Sequence, residues 1–362
     1  MKLTQRQRWI VRAAVFGELD AWQAWSQQVD FEQLEAGEFR LLPLLYQALK
    51  AQGVEHPLMG RLKGIYRQSW TRNQLSLRRL ADLLQHFNEA GIPTLVFKGA
   101  SLALRTYSNL ALRPMADADV LIPFERLEDA LACLSRLAWH PTQYSSDDLS
   151  PALLQYVHAL GFVQRQTQQE FDLSWRVFHH DLRAGQDDDF WAQSVSFSVF
   201  DVATQALCHS DEFSAVCVHG MYWEMNANLR WIADAIQLLH QAPIDWQRVL
   251  FIAERHQAAQ ALYEALSLLR TELDADIPEN VLHQLAHLPT PRPARWYYAL
   301  EKQTSYGRSP LVNLTRRYLQ YHLSARPTSF PRYLMLLWGV RSYADFIKMA
   351  WHKFRQPGQQ TP

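Results

Sequence analysis

Several absences narrow the classes of protein to which this chain can belong. It has only three cysteines, Cys133, Cys208 and Cys217, and their spacing matches no zinc site, so no disulfide-stapled or zinc-built scaffold is expected. The 36 Lys and Arg residues balance the 36 Asp and Glu residues, so net charge does not indicate a nucleic-acid partner. The longest candidate membrane stretch, 333–340, has about eight residues, whereas a span needs about 20. The N-terminus lacks the apolar core of a signal peptide, and we expect a cytoplasmic protein.

Common catalytic signatures are also missing from the sequence. The chain has no Gly-x-x-x-x-Gly-Lys-Ser/Thr loop, no Gly-x-Gly-x-x-Gly, no Gly-x-Ser-x-Gly and no His-Glu-x-x-His. Zinc peptidase and nicotinamide chemistry therefore lack sequence support. What remains is an ordinary folded protein of 362 residues, 48% hydrophobic and 20% charged, with room for two or three domains.

The pattern of apolar residues divides the chain into three regions. Residues 1–90 form an N-terminal helical region, which Gly91 is expected to end. Residues 91–202 form a core of alternating strands and helices, and residues 203–362 form a C-terminal helical domain. We therefore expect an α+β fold in which a small mixed sheet lies between two helical regions.

Short apolar runs predict the strands of the central region. Residues 94–98 and 118–122 are expected to be single strands. The runs 162–166 and 170–177 flank a polar connection and are typical of a β-hairpin. Alternation in the second arm puts Asp172 and Ser174 on one face, away from the apolar side chains. Asp172 is then either a presented functional carboxylate or a solvated hairpin aspartate.

The second predicted strand opens with two aspartates, Asp117 and Asp119. Alternate side chains of a strand share a face, so the two carboxylates are expected to lie within a few ångströms of each other. Like charges that close are destabilising unless one takes up a proton or a cation lies between them. Carboxylate oxygens suit hard cations such as Mg²⁺, so the pair is a candidate metal site; a solvated strand end is the alternative.

A glycine turn precedes this pair of aspartates. Lys98 and Gly99 follow an apolar run and open a helical segment that contains Ser101. Such a turn offers backbone N–H groups and the positive end of a helix dipole to a phosphate, and Lys98 adds charge. Arg113, four residues before Asp117, could reach a terminal phosphate or pair with a catalytic aspartate. The sequence leaves these two alternatives open.

Taken together, these segments resemble the uncharacterised bacterial nucleotidyltransferase-like family of the DNA polymerase β superfamily. The most specific part is Arg113-Pro-Met-Ala-Asp-Ala-Asp-Val-Leu-Ile122. The likeness extends to 170–175, His219-Gly220 and 228–234. Most of the superfamily has Gly-Gly or Gly-Ser at the turn, where this chain has Gly99-Ala100.

The resemblance implies specific roles for the candidate residues. Asp117 and Asp119 would bridge two Mg²⁺ or Mn²⁺ ions, and Asp172 would be the carboxylate beside the attacking hydroxyl. The phosphates of an NTP would meet the turn residues, which are Lys98, Gly99, Ser101 and Arg113.

The function that these roles imply is transfer of a nucleoside monophosphate from an NTP to a hydroxyl-bearing acceptor, with release of pyrophosphate. One alternative is an antitoxin-like enzyme that adenylylates a partner protein. Another is a nucleotide-binding module without catalysis. The acceptor, the choice of NTP and the oligomeric state are not readable from the sequence.

Three further features have plainer interpretations. His179-His180-Asp181 is unsuited to a shared ligand set, because neighbours on a strand point to opposite faces, and we expect a structural role. We expect His219 to be a buried, hydrogen-bonded histidine.

Residues 315–355 carry eight Lys or Arg against one acid, with interleaved aromatics. They could contact an anionic membrane surface or a polyanion, or form solvated faces of packed helices.

Overall fold

The architecture comes from a computed structural model of the chain. It describes residues 2–143, 149, 154–155, 157–223, 229–302, 310–324, 329–337, 342–343, 345 and 347–348. Asn228 and part of the basic C-terminal stretch, including Arg326, Arg341, Lys353 and Arg355, lie outside these described residues.

Helices form the N-terminal region, as the sequence predicts. They are α1 (Gln5–Val11), α2 (Leu19–Gln28), α3 (Ala36–Phe39), α4 (Leu42–Ala51) and α5 (Met59–Glu89). The long helix α5 buries Leu77, Leu80, Leu84 and Phe87, whose spacing of three or four residues gives one apolar face. The chain leaves α5 through Gly91, whose φ of +63° suits glycine.

A seven-stranded mixed sheet forms the centre, which confirms the predicted fold class. Its strands are β1 (Leu95–Phe97), β2 (Asp119–Leu121), β3 (Trp139–Pro141), β4 (Ala159–Gln164), β5 (Gln169–Ser174), β6 (Val195–Val199) and β7 (Val202–Ala206). Their order is β3-β4-β5-β2-β1-β7-β6. The pairs β2–β5 and β1–β7 are parallel, and the other neighbouring pairs are antiparallel.

Two strand predictions need correction. β5 ends at Ser174 instead of continuing to residue 177, so His179 and His180 lie in a turn, where both are buried. The hairpin β6–β7 was not predicted, and β7 lies beyond residue 202, where helices were expected. This hairpin is at the sheet edge and much of it is exposed, so it lacks the strong apolar alternation by which a strand is recognised.

Alternation along the strands separates two apolar layers. Val96 and Val120 pack with α5 and with α7 (Leu127–Arg136) on one side of the sheet. Leu95, Phe97 and Leu121 pack on the other side, where the N-terminal and C-terminal helices share one buried cluster. Asp119 shares the face of Leu121, because side chains two apart in a strand point the same way. The aspartate is therefore turned toward the C-terminal helices.

Helices also make up most of the remaining chain. Two short ones lie within the sheet region, α6 (Lys98–Arg105) and α8 (Asp188–Ala192). The C-terminal helices are α9 (His209–Trp223), α10 (Arg230–Gln241), α11 (Trp246–Arg255), α12 (Ala259–Leu273), α13 (Glu279–His287), α14 (Arg292–Lys302), α15 (Pro310–Ser324) and α16 (Phe330–Leu337). Within the described ranges, every helix is too short or too polar to cross a membrane.

Candidate active site

The three candidate carboxylates lie in one cleft. Asp119 of β2 is paired in register with Asp172 of the parallel strand β5, and Asp117 lies two residues before Asp119. The cleft has a volume of about 420 Å³. Its walls are the sheet on one side and helices α9 and α10 on the other. Lys98 and Gly99 also line it, so the predicted turn and the predicted carboxylates meet.

Burial and nearby negative charge raise the pKa of two of these carboxylates, Asp117 and Asp172. Burial raises the pKa of Asp117 above its ordinary value, and the charge of Asp119 raises it further. Burial raises the pKa of Asp172 to about 7, with added contributions from Asp119 and Asp117. Lys98 opposes both shifts. The cleft therefore concentrates negative charge on its sheet wall, and it favours a cation there.

Lys98 partly neutralises this wall from an unusual backbone conformation. Its Nζ lies 3.1 Å from Oδ1 of Asp119, and only a small part of either side chain is exposed. Its φ is +49°, a left-handed value that costs a non-glycine residue about 1–2 kcal/mol. The left-handed residue of this turn is Lys98, one residue before Gly99. The strained backbone starts the helix and directs the ammonium group to the carboxylates.

Glu212, a buried glutamate of α9, accepts hydrogen bonds from two residues at the start of α6 and so stabilises the turn. The backbone N–H of Lys98 donates to Oε1 of Glu212 at 2.6 Å. The Ser101 hydroxyl donates to Oε2 at 2.8 Å. Glu212 is 1% exposed, and burial raises its pKa to about 7, while these two hydrogen bonds oppose the rise.

Ser101 was predicted to contact phosphate, and the structure does not bring it to the cleft. It is 1% exposed, and its hydroxyl is directed to Glu212 in the interior. Ser101 instead faces α9, where Glu212 accepts its hydroxyl. The structure thus gives Ser101 a place in the support of the turn.

Gly99 allows the chain to approach itself closely. A Cβ at this position would lie 3.3 Å from the carbonyl oxygen of Asp117 and 3.4 Å from Nη1 of Arg113. Both contacts are tighter than most Cβ contacts, so a side chain here would displace the Asp117 segment or the guanidinium. Because Gly99 has no side chain, the turn can pack closely against Arg113 and the segment that contains Asp117.

Arg113 pairs with an aspartate outside the carboxylate group. Its Nε and Nη2 donate to the two oxygens of Asp234, each at 2.9 Å, and the Tyr107 hydroxyl donates to the same carboxylate at 2.8 Å. Burial opposes the charge of Arg113, yet Asp234 raises its pKa above the ordinary value. Nη1 has no hydrogen-bond partner among the described residues, and Arg113 lines the cleft. A phosphate contact therefore stays compatible with its position.

Gly161 and His158 line the cleft and were not predicted from the sequence, and His219, expected only as a buried, hydrogen-bonded histidine, lines it too. Gly161 lies opposite Asp172 in the β4–β5 pair, and a Cβ there would lie 3.2 Å from Asp172 Oδ1. Burial lowers the pKa of His158 to about 3 and holds that of His219 well below its ordinary range, and Lys98 adds to both shifts. Both histidines are therefore neutral at physiological pH. The isolated glycine inside strand β4 was the signal that could have indicated a close approach.

The donor set has the chemistry of a divalent-cation site. Three carboxylates line one cleft, and burial and repulsion raise the pKa of Asp117 and of Asp172. Over the described ranges, no group of three or more His, Cys, Asp or Glu side chains is gathered closely enough to hold a metal ion. The three carboxylates suit such an ion by their chemistry, and they lie farther apart than a metal site requires.

Comparison with known proteins gives one structural match and one family match. A crystal structure of an antigenic nucleotidyltransferase-like protein from Paracoccidioides brasiliensis matches 57% of this chain and 97% of that chain. The identity is 15% and the TM-score is 0.39. No curated protein matches the chain. The model of the uncharacterised nucleotidyltransferase family matches residues 35–274, which contain every cleft residue discussed above. The chain therefore belongs to this family of uncharacterised nucleotidyltransferases.

Proposed function

We propose that this protein moves a nucleoside monophosphate from an NTP to a hydroxyl-bearing acceptor, with a divalent cation, Mg²⁺ or Mn²⁺, and with release of pyrophosphate. The observation that carries the proposal is the pairing of Asp119 with Asp172 on neighbouring strands, in the cleft that also contains Asp117 and the Lys98–Gly99 turn. Family membership supports nucleotidyl transfer in general.

In this proposal Asp117 and Asp119 hold the divalent cation. When bound, the cation neutralises phosphate charge and makes the attacking hydroxyl more acidic. The Lys98 ammonium group, now paired with Asp119, would be released to contact the phosphates if a divalent ion took its place beside Asp119. Gly99 leaves the phosphates room to approach the turn, and Nη1 of Arg113 is a donor in the same place.

The reaction forms one bond and breaks one. The acceptor oxygen bonds to the α-phosphorus of the NTP, and the bond from that phosphorus to the bridging oxygen of pyrophosphate breaks. Asp172 takes the hydroxyl proton. This carboxylate lines the cleft, so an acceptor hydroxyl bound there can reach it.

The test is pyrophosphate release by the purified protein with each of the four NTPs, Mg²⁺ or Mn²⁺, and a cell extract as acceptor source. We expect release by the wild type. Asp119→Asn should lower it at least about 100-fold, because a metal ligand contributes several kcal/mol to the transition state. Asp129→Asn, at an exposed position of α7, is the matched control and should keep the wild-type rate.

Equal release by the wild type and Asp119→Asn would overturn the assignment of the cleft. No release with any NTP would overturn the transfer reaction and leave a non-catalytic module. Label that passes from α-labelled ATP into a protein band would identify the acceptor as a protein.

A further inference from the structure

The cleft has a second wall at the N-terminal end of α10. Arg230, Trp231 and Asp234 of this helix line the cleft opposite the sheet. Among the described residues no side chain caps the start of α10, and its first turn has no acidic residue. An uncapped helix start presents N–H groups and partial positive charge. This wall therefore differs in charge from the wall of aspartates.

Two buried N–H donors on this side lack acceptors within the described structure. They are Nη1 of Arg113 and Nε1 of Trp231. Arg113 is 4% exposed and Trp231 is 3% exposed, and both line the cleft. Leaving a buried donor without an acceptor destabilises a protein, and such groups call for an explanation. An acceptor-rich ligand group in the cleft would supply the missing partners.

The surrounding contacts keep these donors in place. Asp234 holds two nitrogens of Arg113 and leaves Nη1 beside Gly99, where a Cβ would come within 3.4 Å of it. Gly220 of α9 makes room for the Trp231 ring, since a Cβ at Gly220 would lie 2.3 Å from that ring. These glycines and the ion pair fix both donors, so the wall is built before any ligand arrives.

Arg230 adds positive charge to the same wall. Its Nη1 donates to the carbonyl oxygen of Pro114 at 3.2 Å, which places the guanidinium beside the segment that leads to Asp117. Its charge opposes the burial-driven rise in the pKa of Asp117. Asp234 is the acidic residue on this wall that the structure describes, and Arg113 neutralises it.

We propose that Arg113, Arg230 and Trp231, with the start of α10, form a phosphate-binding subsite that adjoins the Lys98–Gly99 turn at Arg113 and extends along the opposite wall of the cleft. Two fixed N–H donors, a guanidinium and a helix start suit the several oxygens and the charge of a phosphate group. The inference rests on the proposed function for the source of this phosphate. That source is either the terminal phosphate of the NTP or a phosphate carried by the acceptor.

The first test is calorimetric titration of the full-length protein with inorganic tripolyphosphate in metal-free buffer. Trp231→Phe removes the N–H but keeps an aromatic ring against Gly220, and Arg230→Met removes the charge. Each should raise the Kd about tenfold, as loss of a hydrogen bond to a charged group does. The matched controls are Trp296→Phe and Arg78→Met, both at exposed positions, and they should bind like the wild type.

No tripolyphosphate binding by the wild type would overturn the subsite, and so would wild-type affinity in both folded cleft variants. Titration with ATP and AMP in the presence of Mg²⁺ then separates the two sources. If Trp231→Phe weakens ATP binding and leaves AMP binding unchanged, the subsite holds the NTP tail. If it weakens only tripolyphosphate binding, the subsite serves a phosphate on the acceptor.

The subsite and the proposed function can fail separately. Asp119→Asn should keep metal-free tripolyphosphate binding, because Asp119 lies on the opposite wall. A protein that binds tripolyphosphate in a Trp231-dependent way but releases no pyrophosphate from any NTP would refute the transfer reaction and retain the subsite.

Discussion

At the scale of single residues, the cleft depends on small side chains as much as on its carboxylates. Gly161 is the clearest case, because a Cβ there would lie 2.7 Å from Thr142 Oγ1 and 3.2 Å from Asp172 Oδ1. Neither contact can persist, so the carboxylate of Asp172 or the side chain of Thr142 would have to move. The position of the proposed proton acceptor therefore depends on glycine in the neighbouring strand.

Gly161→Ala should lower the rate of pyrophosphate release about tenfold, since the carboxylate of Asp172 must shift by a few tenths of an ångström from its present position. Unfolding in urea should show a loss of about 1–3 kcal/mol in the free energy of unfolding. Gly60→Ala is the control, since a Cβ at Gly60 meets nothing within 4 Å, and it should keep the wild-type rate. A Gly161→Ala protein with the wild-type rate would contradict the role of Gly161.

Glu212 gives a prediction about pH. Its pKa in the folded protein is about 7, against an ordinary value of 4.5, because burial penalises the charged form. The stability linked to its neutral form is therefore fully present below pH 4.5 and is lost as the pH rises to about 7. Glu212→Gln keeps a neutral group in place, since its amide can accept from Lys98 and donate to Ser101.

The free energy of unfolding of Glu212→Gln minus that of the wild type should therefore increase by about 3 kcal/mol between pH 4.5 and 7.5. Denaturant unfolding at several pH values measures this difference. Glu279→Gln, at an exposed site, should show a difference that does not change with pH. A pH-independent difference for Glu212→Gln would mean that Glu212 is charged throughout this range.

Local spacing predicted some residues of the site and could not predict others. The face shared by Asp117 and Asp119 and the outward side of Asp172 follow from strand alternation, and the structure brings all three to one cleft. Their role as metal ligands stays a prediction. The contact of Ser101 with Glu212 joins residues 111 positions apart, and the pairing of Arg113 with Asp234 joins residues 121 apart. Only the packed fold decides such partners.

At the scale of elements, helix α10 meets α9 through a glycine. A Cβ at Gly220 would overlap the Trp231 ring, with distances of 2.3–2.7 Å. An indole ring is rigid and this one is buried, so it cannot turn aside without moving α10. The packing of α9 against α10 thus sets the position of the cleft wall that carries Arg230 and Trp231.

Gly220→Ala should lower the free energy of unfolding by about 1–3 kcal/mol, even though Ala favours a helix over Gly. Gly64→Ala in α5 is the matched control, because open space surrounds Gly64, and it should be neutral or stabilising. Chemical denaturation of the two variants gives the comparison. If Gly220→Ala matched Gly64→Ala in stability, the contact between α9 and α10 would not be as described.

At the scale of the whole molecule, the N-terminal and C-terminal helices share one core. Ile10, Trp25 and Leu45 belong to the same buried cluster as Leu262, beneath the sheet face that carries Phe97. Arg12 of the N-terminal region also pairs with Asp274, at the end of α12. The apolar patterns predicted the helices on each side of the sheet but not their mutual packing, because such patterns show which face is buried and not which partner covers it.

Binding of a cation with nucleotide tests the central claim most directly, because it requires no knowledge of the acceptor. Calorimetry would follow Mn²⁺ titrated into protein that holds a non-hydrolysable NTP analogue. We expect the wild type and Asp129→Asn to bind Mn²⁺ alike, and Asp119→Asn to bind at least about tenfold more weakly, since it loses one carboxylate ligand. Asp119→Asn should remain folded, because relief of repulsion offsets loss of the Lys98 pair. Wild-type Mn²⁺ affinity in a folded Asp119→Asn protein would contradict the account.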